Sequence, residues 1–111
     1  MTVMCECRRY SWSFTLSATD ANRNAIRFAR HLTKRSKVLV VSYCYHGSVD
    51  ESLGVRLASG EVVPRPGNVG PPVHITATTR VVEFNDLRAM EAEVGFESAC
   101  VSTSACVRTC M

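Results

Sequence analysis

Ser17-Ala18-Thr19-Asp20-Ala21-Asn22 sets small hydroxyl-bearing residues and one carboxylate just ahead of a stretch with helical periodicity. The first N–H groups of a helix have no intrahelical acceptor and point outward; with the helix dipole they favour a phosphate. Ser17 and Thr19 can add hydroxyl donors. Further along, Cys44-Tyr45-His46-Gly47 closes a short apolar run. An aromatic ring at a strand end can stack on a planar ligand, and an imidazole there can hydrogen-bond a ring substituent or carry a proton. Gly47 allows positive φ or a close backbone approach. Each half also has a plainer reading: an ordinary capped helix start, and two residues that pack a loop. Taken together they describe half of a pocket for a phosphate-bearing cofactor.

Two elements must hold these residues. Thr19 or Asp20 is predicted to cap a helix running from about Asp20 to about Thr33. Ala25, Phe28, Ala29 and Leu32 fall on one face of it; Arg23, Arg27, Arg30 and Lys34 fall on another, which reads as a solvated basic face. Arg30, His31, Lys34 and Arg35 make its last turns basic, which complements the negative end of the dipole. Val38-Leu39-Val40-Val41 is a β-branched-rich run of the kind buried on both faces of a parallel sheet. A helix feeding such a strand predicts an α/β fold, in which ligands sit beyond the carboxyl ends of the strands. Cys44 to Gly47 lie at that end.

The rest of the chain carries weaker patterns. Tyr10 to Leu16 alternates at period two and predicts a short strand or extended lead-in. Residues 47–79 contain Pro64, Pro66, Gly67, Gly70, Pro71 and Pro72 and read as one long loop, a lid or subunit-contact arm. Val81 to Phe84 predicts a second strand, and Asn85 or Asp86 a cap for a helix from Leu87 to about Val94, with Leu87, Met90 and Val94 on one face. From Phe96 onward the chain is rich in Ser, Cys, Thr and Ala and no element is predicted.

Composition narrows the function classes. At 111 residues the chain makes one domain at most. A net charge of +3 demands no nucleic acid, and the aromatics do not interleave with the basic residues. No apolar run approaches the ~20 residues of a membrane span, and Met1 to Tyr10 lacks the apolar core of a secretory signal. These features predict a cytoplasmic protein with reduced cysteines and neither membrane nor nucleic-acid partners. Cys5, Cys7, Cys44, Cys100, Cys106 and Cys110 lack the paired spacing of a zinc site, so no metal ligands are expected.

The order and spacing of several motifs together resemble one family. Ser17 to Asn22, Ala25 to Arg30, Thr33 to Val38 and Cys44 to Gly47 look like the class III pyridoxal-phosphate-dependent aminotransferases, which include glutamate-1-semialdehyde aminomutase and the ω-amino acid transaminases. There the pattern is a Ser-Gly-Thr-Glu-Ala turn, a helix ending in a Thr-Gly-Arg-like segment, a strand, and Tyr-His-Gly. The likeness is most specific over residues 12–47 and extends less specifically to Asp86. Cys-Tyr-His-Gly and the proline-rich arm lean toward the glutamate-1-semialdehyde-like branch.

The resemblance implies a partial large domain of a fold-type-I enzyme over residues 12–94. Residues 1–11 stay unassigned and 95–111 form a divergent Cys/Ser-rich tail. It implies pyridoxal 5'-phosphate as cofactor, with Ser17, Ala18 and Thr19 at its phosphate, Tyr45 against its ring and His46 completing the motif. It also implies amino acid and keto acid substrates and a homodimer. Three positions depart from the pattern. Ala18 replaces a glycine and is strained if that position needs positive φ; Asp20 replaces glutamate; Lys34 replaces the glycine of the Thr-Gly-Arg turn. The family's Schiff-base lysine comes from a segment downstream of anything matched here. Lys34 and Lys37, the only lysines, lie at a helix end and a strand start. The expectation is a truncated chain, inactive alone, with no catalytic residue of its own. Two other readings remain: a non-enzymatic α/β module that keeps a phosphate ligand, and a Cys-rich metal or nucleic-acid-binding module.

Overall fold

In the computed structural model, residues 5–7, 10–94 and 98–100 are described. A hairpin of β1 (Cys5–Cys7) and β2 (Tyr10–Trp12) leads in. Helix α1 (Ala18–Thr33) then feeds strand β3 (Lys37–Val41). β3 is flanked by two parallel neighbours, β6 (Thr79–Val82) on one side and β7 (Ser98–Cys100) on the other. The β3–β6 register pairs Val38 with Thr79 and Val41 with Val82. Val38, Leu39 and Val40 are all buried, which is why this strand reads as a continuous apolar run. Ile26 of α1 packs with Val38 and Val49 in the core.

The α/β architecture and the main elements follow the sequence, with four differences. The helix begins two residues earlier than predicted, and its cap is Ser17. Ser17 has extended backbone (φ −146°, ψ 159°), and its Oγ accepts from the Asp20 N–H at 3.1 Å. Asp20 therefore sits inside the first turn, where its carboxylate accepts from the Ser17 hydroxyl at 2.9 Å, a variant of the capping box.

Second, residues 47–79 are not structureless. A 3-10 turn (Asp50–Ser52) is followed by a hairpin of β4 (Gly54–Arg56) and β5 (Val62–Pro64), and α2 (Ile75–Thr78) leads into β6. The Leu57 N–H closes the hairpin on the Glu61 carbonyl at 2.8 Å, with Gly60 at φ +87°. Gly54 lies so close to Val81 and Ile75 that a Cβ there would sit 2.9 Å from Val81 Cγ2. Three-residue strands are too short for periodicity to announce, so the prolines dominated the pattern.

Third, the predicted apolar face of α1 is buried only at Ala29, and the burial is shared with Ile26 rather than with the large apolar residues of that face. Ile26 and Ala29 are buried, while Phe28 is 61 % and Leu32 70 % exposed. The basic face is also only half solvated. Arg30 pairs with Glu51 at 2.8 Å, and Arg23 donates to the Ser48 carbonyl at 3.1 Å. Fourth, β7 falls in the stretch for which no element is predicted. The expectations for the terminal cysteine side chains lie outside the described residues.

α3 (Leu87–Val94) starts as predicted, with Asp86 Oδ1 accepting from the Ala89 N–H at 3.0 Å. None of its residues is buried.

Candidate functional site

The N-terminus of α1 and the loop beyond the carboxyl end of β3 meet. Gly47 is the contact: at φ +84° it lies against Thr19, and a Cβ there would come within 2.4 Å of Thr19 Oγ1 and 3.0 Å of Thr19 Cα. Only glycine fits, on both counts. The Ser48 N–H donates to Thr19 Oγ1 at 3.3 Å. Three residues along the helix, Asn22 Nδ2 donates to the His46 carbonyl at 2.8 Å. These contacts join residues 24 to 29 positions apart in sequence and turn two local motifs into one site.

The helix mouth presents unused hydrogen-bond donors. Ala18 and Thr19 occupy the first two helical positions, and among the described residues their N–H groups have no acceptor, whereas those of Asp20 and Ala21 bond back to Ser17. Thr19 Oγ1 uses a lone pair for Ser48, which leaves its hydrogen free to donate. Ala18 is helical rather than at positive φ, so its methyl group carries no strain. The glycine-to-alanine departure is conformationally neutral here.

Tyr45 and His46 differ in exposure. Tyr45 is 69 % exposed, with its ring surface open for stacking. His46 is 8 % exposed, and its Nε2 has no hydrogen-bond partner. Burial holds its pKa below the ordinary 6.5, so the imidazole is neutral at pH 7. Just before them, Tyr43 sits at φ +59°, an unusual backbone state for a bulky residue, while the Ser42 N–H is tied to the Val82 carbonyl at 2.8 Å.

The structure thus brings the two sequence motifs together beyond the carboxyl end of β3, through Thr19, Asn22, His46, Gly47 and Ser48. What the sequence did not reveal is Asn22, which holds the His46 backbone, and Ser48, which engages Thr19. A signal for Asn22 existed: it lies one helical turn beyond Thr19, on the same side of α1. Neither lysine joins the site. Lys34 caps the far end of α1, and Lys37 opens β3, four residues from the end that carries the loop to Tyr45. Among the described residues no three His, Cys, Asp or Glu side chains group as metal ligands, and no helix is long and apolar enough to cross a membrane.

No protein-family model matches the chain. It is 41% identical over 92 residues to the glutamate-1-semialdehyde 2,1-aminomutase of Opitutus terrae, covering 82% of this chain and 21% of that protein. Among solved structures it resembles a glutamate-1-semialdehyde aminomutase from Pseudomonas aeruginosa, at 49% identity and TM-score 0.74 over 79% of this chain and 20% of that one. A lysine variant of that enzyme was solved in complex with PMP. An omega-transaminase from Sphaerobacter thermophilus matches at 30% identity and TM-score 0.64, over 77% of this chain and 22% of its own. The chain therefore spans about a fifth of the length of these relatives.

Proposed function

Because this chain belongs to the class III pyridoxal-phosphate-dependent aminotransferase family, we propose that Ser17 to Thr19 and Tyr45 to Gly47 form the phosphate-and-ring side of a pyridoxal 5'-phosphate site. The carrying observation is the seating of Gly47 on Thr19, which brings the loop that carries the exposed Tyr45 onto the helix turn whose first two N–H groups are unpartnered. In this reading the N–H groups of Ala18 and Thr19 and the Thr19 hydroxyl hold the phosphate, and Ser17 stabilises the turn that aims them. The exposed Tyr45 ring covers the pyridine. Neutral His46 closes the loop behind it. When bound, the cofactor supplies an electron sink for amino-group transfer, and the protein supplies orientation and charge complementarity.

The whole-protein activity we assign is amino-group transfer or aminomutase chemistry on amino acid and keto acid substrates, in a cytoplasmic homodimer. Lys34 and Lys37 both lie away from Tyr45, which favours a narrower role for these residues by themselves: holding the phosphorylated ring without a covalent bond to it. Equilibrium binding of pyridoxamine phosphate and of unphosphorylated pyridoxamine, followed by quenching of aromatic fluorescence, tests the reading. The phosphorylated form should bind about tenfold more tightly, the worth of a charge-assisted hydrogen bond or two. Thr19→Val should erase most of that difference. Equal affinities for the two compounds sink the assignment. A stoichiometric borohydride-trapped pyridoxal phosphate adduct at Lys37 overturns the narrower role while leaving the phosphate contacts standing.

A further inference from the structure

A second concentration of positive charge lies along α1, away from the helix mouth. Arg23, Arg27 and Arg30 recur at i, i+4 and i+7 and line a cavity of about 150 Å³, completed by Ile26, Val49 and Glu51. Two of the guanidinium groups are anchored. Arg23 Nη2 donates to the Ser48 carbonyl at 3.1 Å; Arg30 donates through Nε to the Ser36 carbonyl and through Nη1 to Glu51 Oε1, both at 2.8 Å. Anchoring fixes these side chains without exhausting their donors, and Arg27 has no partner among the described residues, so all its N–H groups remain available.

Three guanidinium charges face one carboxylate in this cavity, so two positive charges are unbalanced. Asp50, exposed and adjacent to Glu51, is the other acidic group on that turn. Burial alone would raise the Glu51 carboxyl. Hydrogen bonds from Arg30 and from its own backbone, with the charges of Arg30 and Arg23, outweigh that and hold it below its ordinary 4.5. Arg23 shares the cavity with Glu51, while its own hydrogen bond goes to the Ser48 carbonyl. Buried Ile26 and Val49 form an apolar floor, which strengthens the field at the guanidinium groups.

We propose that this cavity binds a compact phosphate-type dianion, held by Arg23, Arg27 and Arg30 on the flank of α1. It is a different site from the helix mouth and does not depend on the cofactor reading. The planar fork of arginine matches the edge of a tetrahedral oxyanion; Arg23 and Arg30 are held in place by their hydrogen bonds, and Arg27 is ordered when the anion binds.

The test follows the arginine Nε–H signals of the full chain by two-dimensional NMR during titration with inorganic phosphate and, separately, with phosphoserine. Saturable shifts at Arg23 and Arg27 are expected. Arg27→Gln should weaken binding about tenfold, the loss of one charged hydrogen-bond partner. Glu51→Gln should tighten it, because the competing carboxylate is gone while an acceptor for Arg30 remains. Misfolding cannot produce changes of opposite sign. Saturation by both titrants assigns phosphate carried on a larger molecule; saturation by inorganic phosphate alone assigns the free ion. Shifts confined to the amides of residues 18–20, weaker binding in Glu51→Gln, or no saturation below ~10 mM overturns the proposal.

Discussion

His46 stands out at the residue scale because it is buried next to the exposed Tyr45 and carries an unpartnered ring nitrogen. Its desolvation has a measurable consequence. The unfolded imidazole titrates near 6.5 and the folded one lower, so between those values the unfolded chain binds more protons. The stability linked to His46 is therefore complete above 6.5 and is lost as pH falls through 6.5 toward the folded value. Thermal melts from about pH 7.5 to about pH 5.5 should show a falling midpoint, and His46→Gln should flatten that dependence. An unchanged slope in the variant rules His46 out as its source. Glu51, depressed below 4.5, titrates outside that window and does not confuse the measurement. His46 was legible in the sequence as part of a strand-end motif, but its neutrality was not, since burial is a property of what packs around it.

At the level of the element, α1 shows how local rules operate and where they stop. Ser17 and Asp20 form the reciprocal cap that short-range chemistry predicts, displaced by two residues because Ser17 is the better-placed acceptor. The far end is less well served. Lys34 closes the helix at φ 57°, in the left-handed region, donating its N–H to the Arg30 carbonyl at 2.9 Å. A non-glycine residue in that state costs about 1 kcal/mol, and glycine is the usual occupant of such a cap. Lys34→Gly should therefore stabilise the chain by roughly 0.5–1 kcal/mol, the unfolded-state entropy of glycine offsetting part of the gain. Urea unfolding at neutral pH would measure it, and a loss of stability would mean that the lysine side chain makes a contribution its geometry does not suggest. Here the family resemblance anticipated the backbone, since the position it gives to glycine is the one held at positive φ. The hairpin Gly54–Pro64 was illegible for the opposite reason. Its strands are three residues each, and Gly54 in the first of them lies against Ile75 and Val81, more than 20 residues further along the chain.

For the whole molecule, the open surfaces of α1 and of the sheet set its behaviour. Phe28 and Leu32 line an apolar groove of about 320 Å³ with Ala25 and Ala29, and Leu16 is fully exposed nearby. Among the described residues β6 and β7 each pair on one side only, so both sheet edges are unpaired. Exposed apolar grooves and open edges promote association. Sedimentation velocity should show concentration-dependent association of the chain, and Phe28→Glu should reduce it without lowering the melting temperature, because that side chain is outside the core. A lowered melting temperature would instead place Phe28 within the fold's own packing. Periodicity, cap chemistry and motif spacing determined by themselves that a helix feeds a buried parallel strand, that the fold is α/β, and that the helix start and the Tyr45–Gly47 segment lie at the same end of the strand, because each of these depends on residues close in the chain. Tertiary structure alone decided which stripe of α1 is buried, which arginines are anchored and that Gly47 rests on Thr19. Those outcomes depend on backbone approaches between segments tens of residues apart, and no local pattern encodes which of two apolar stripes a sheet will cover.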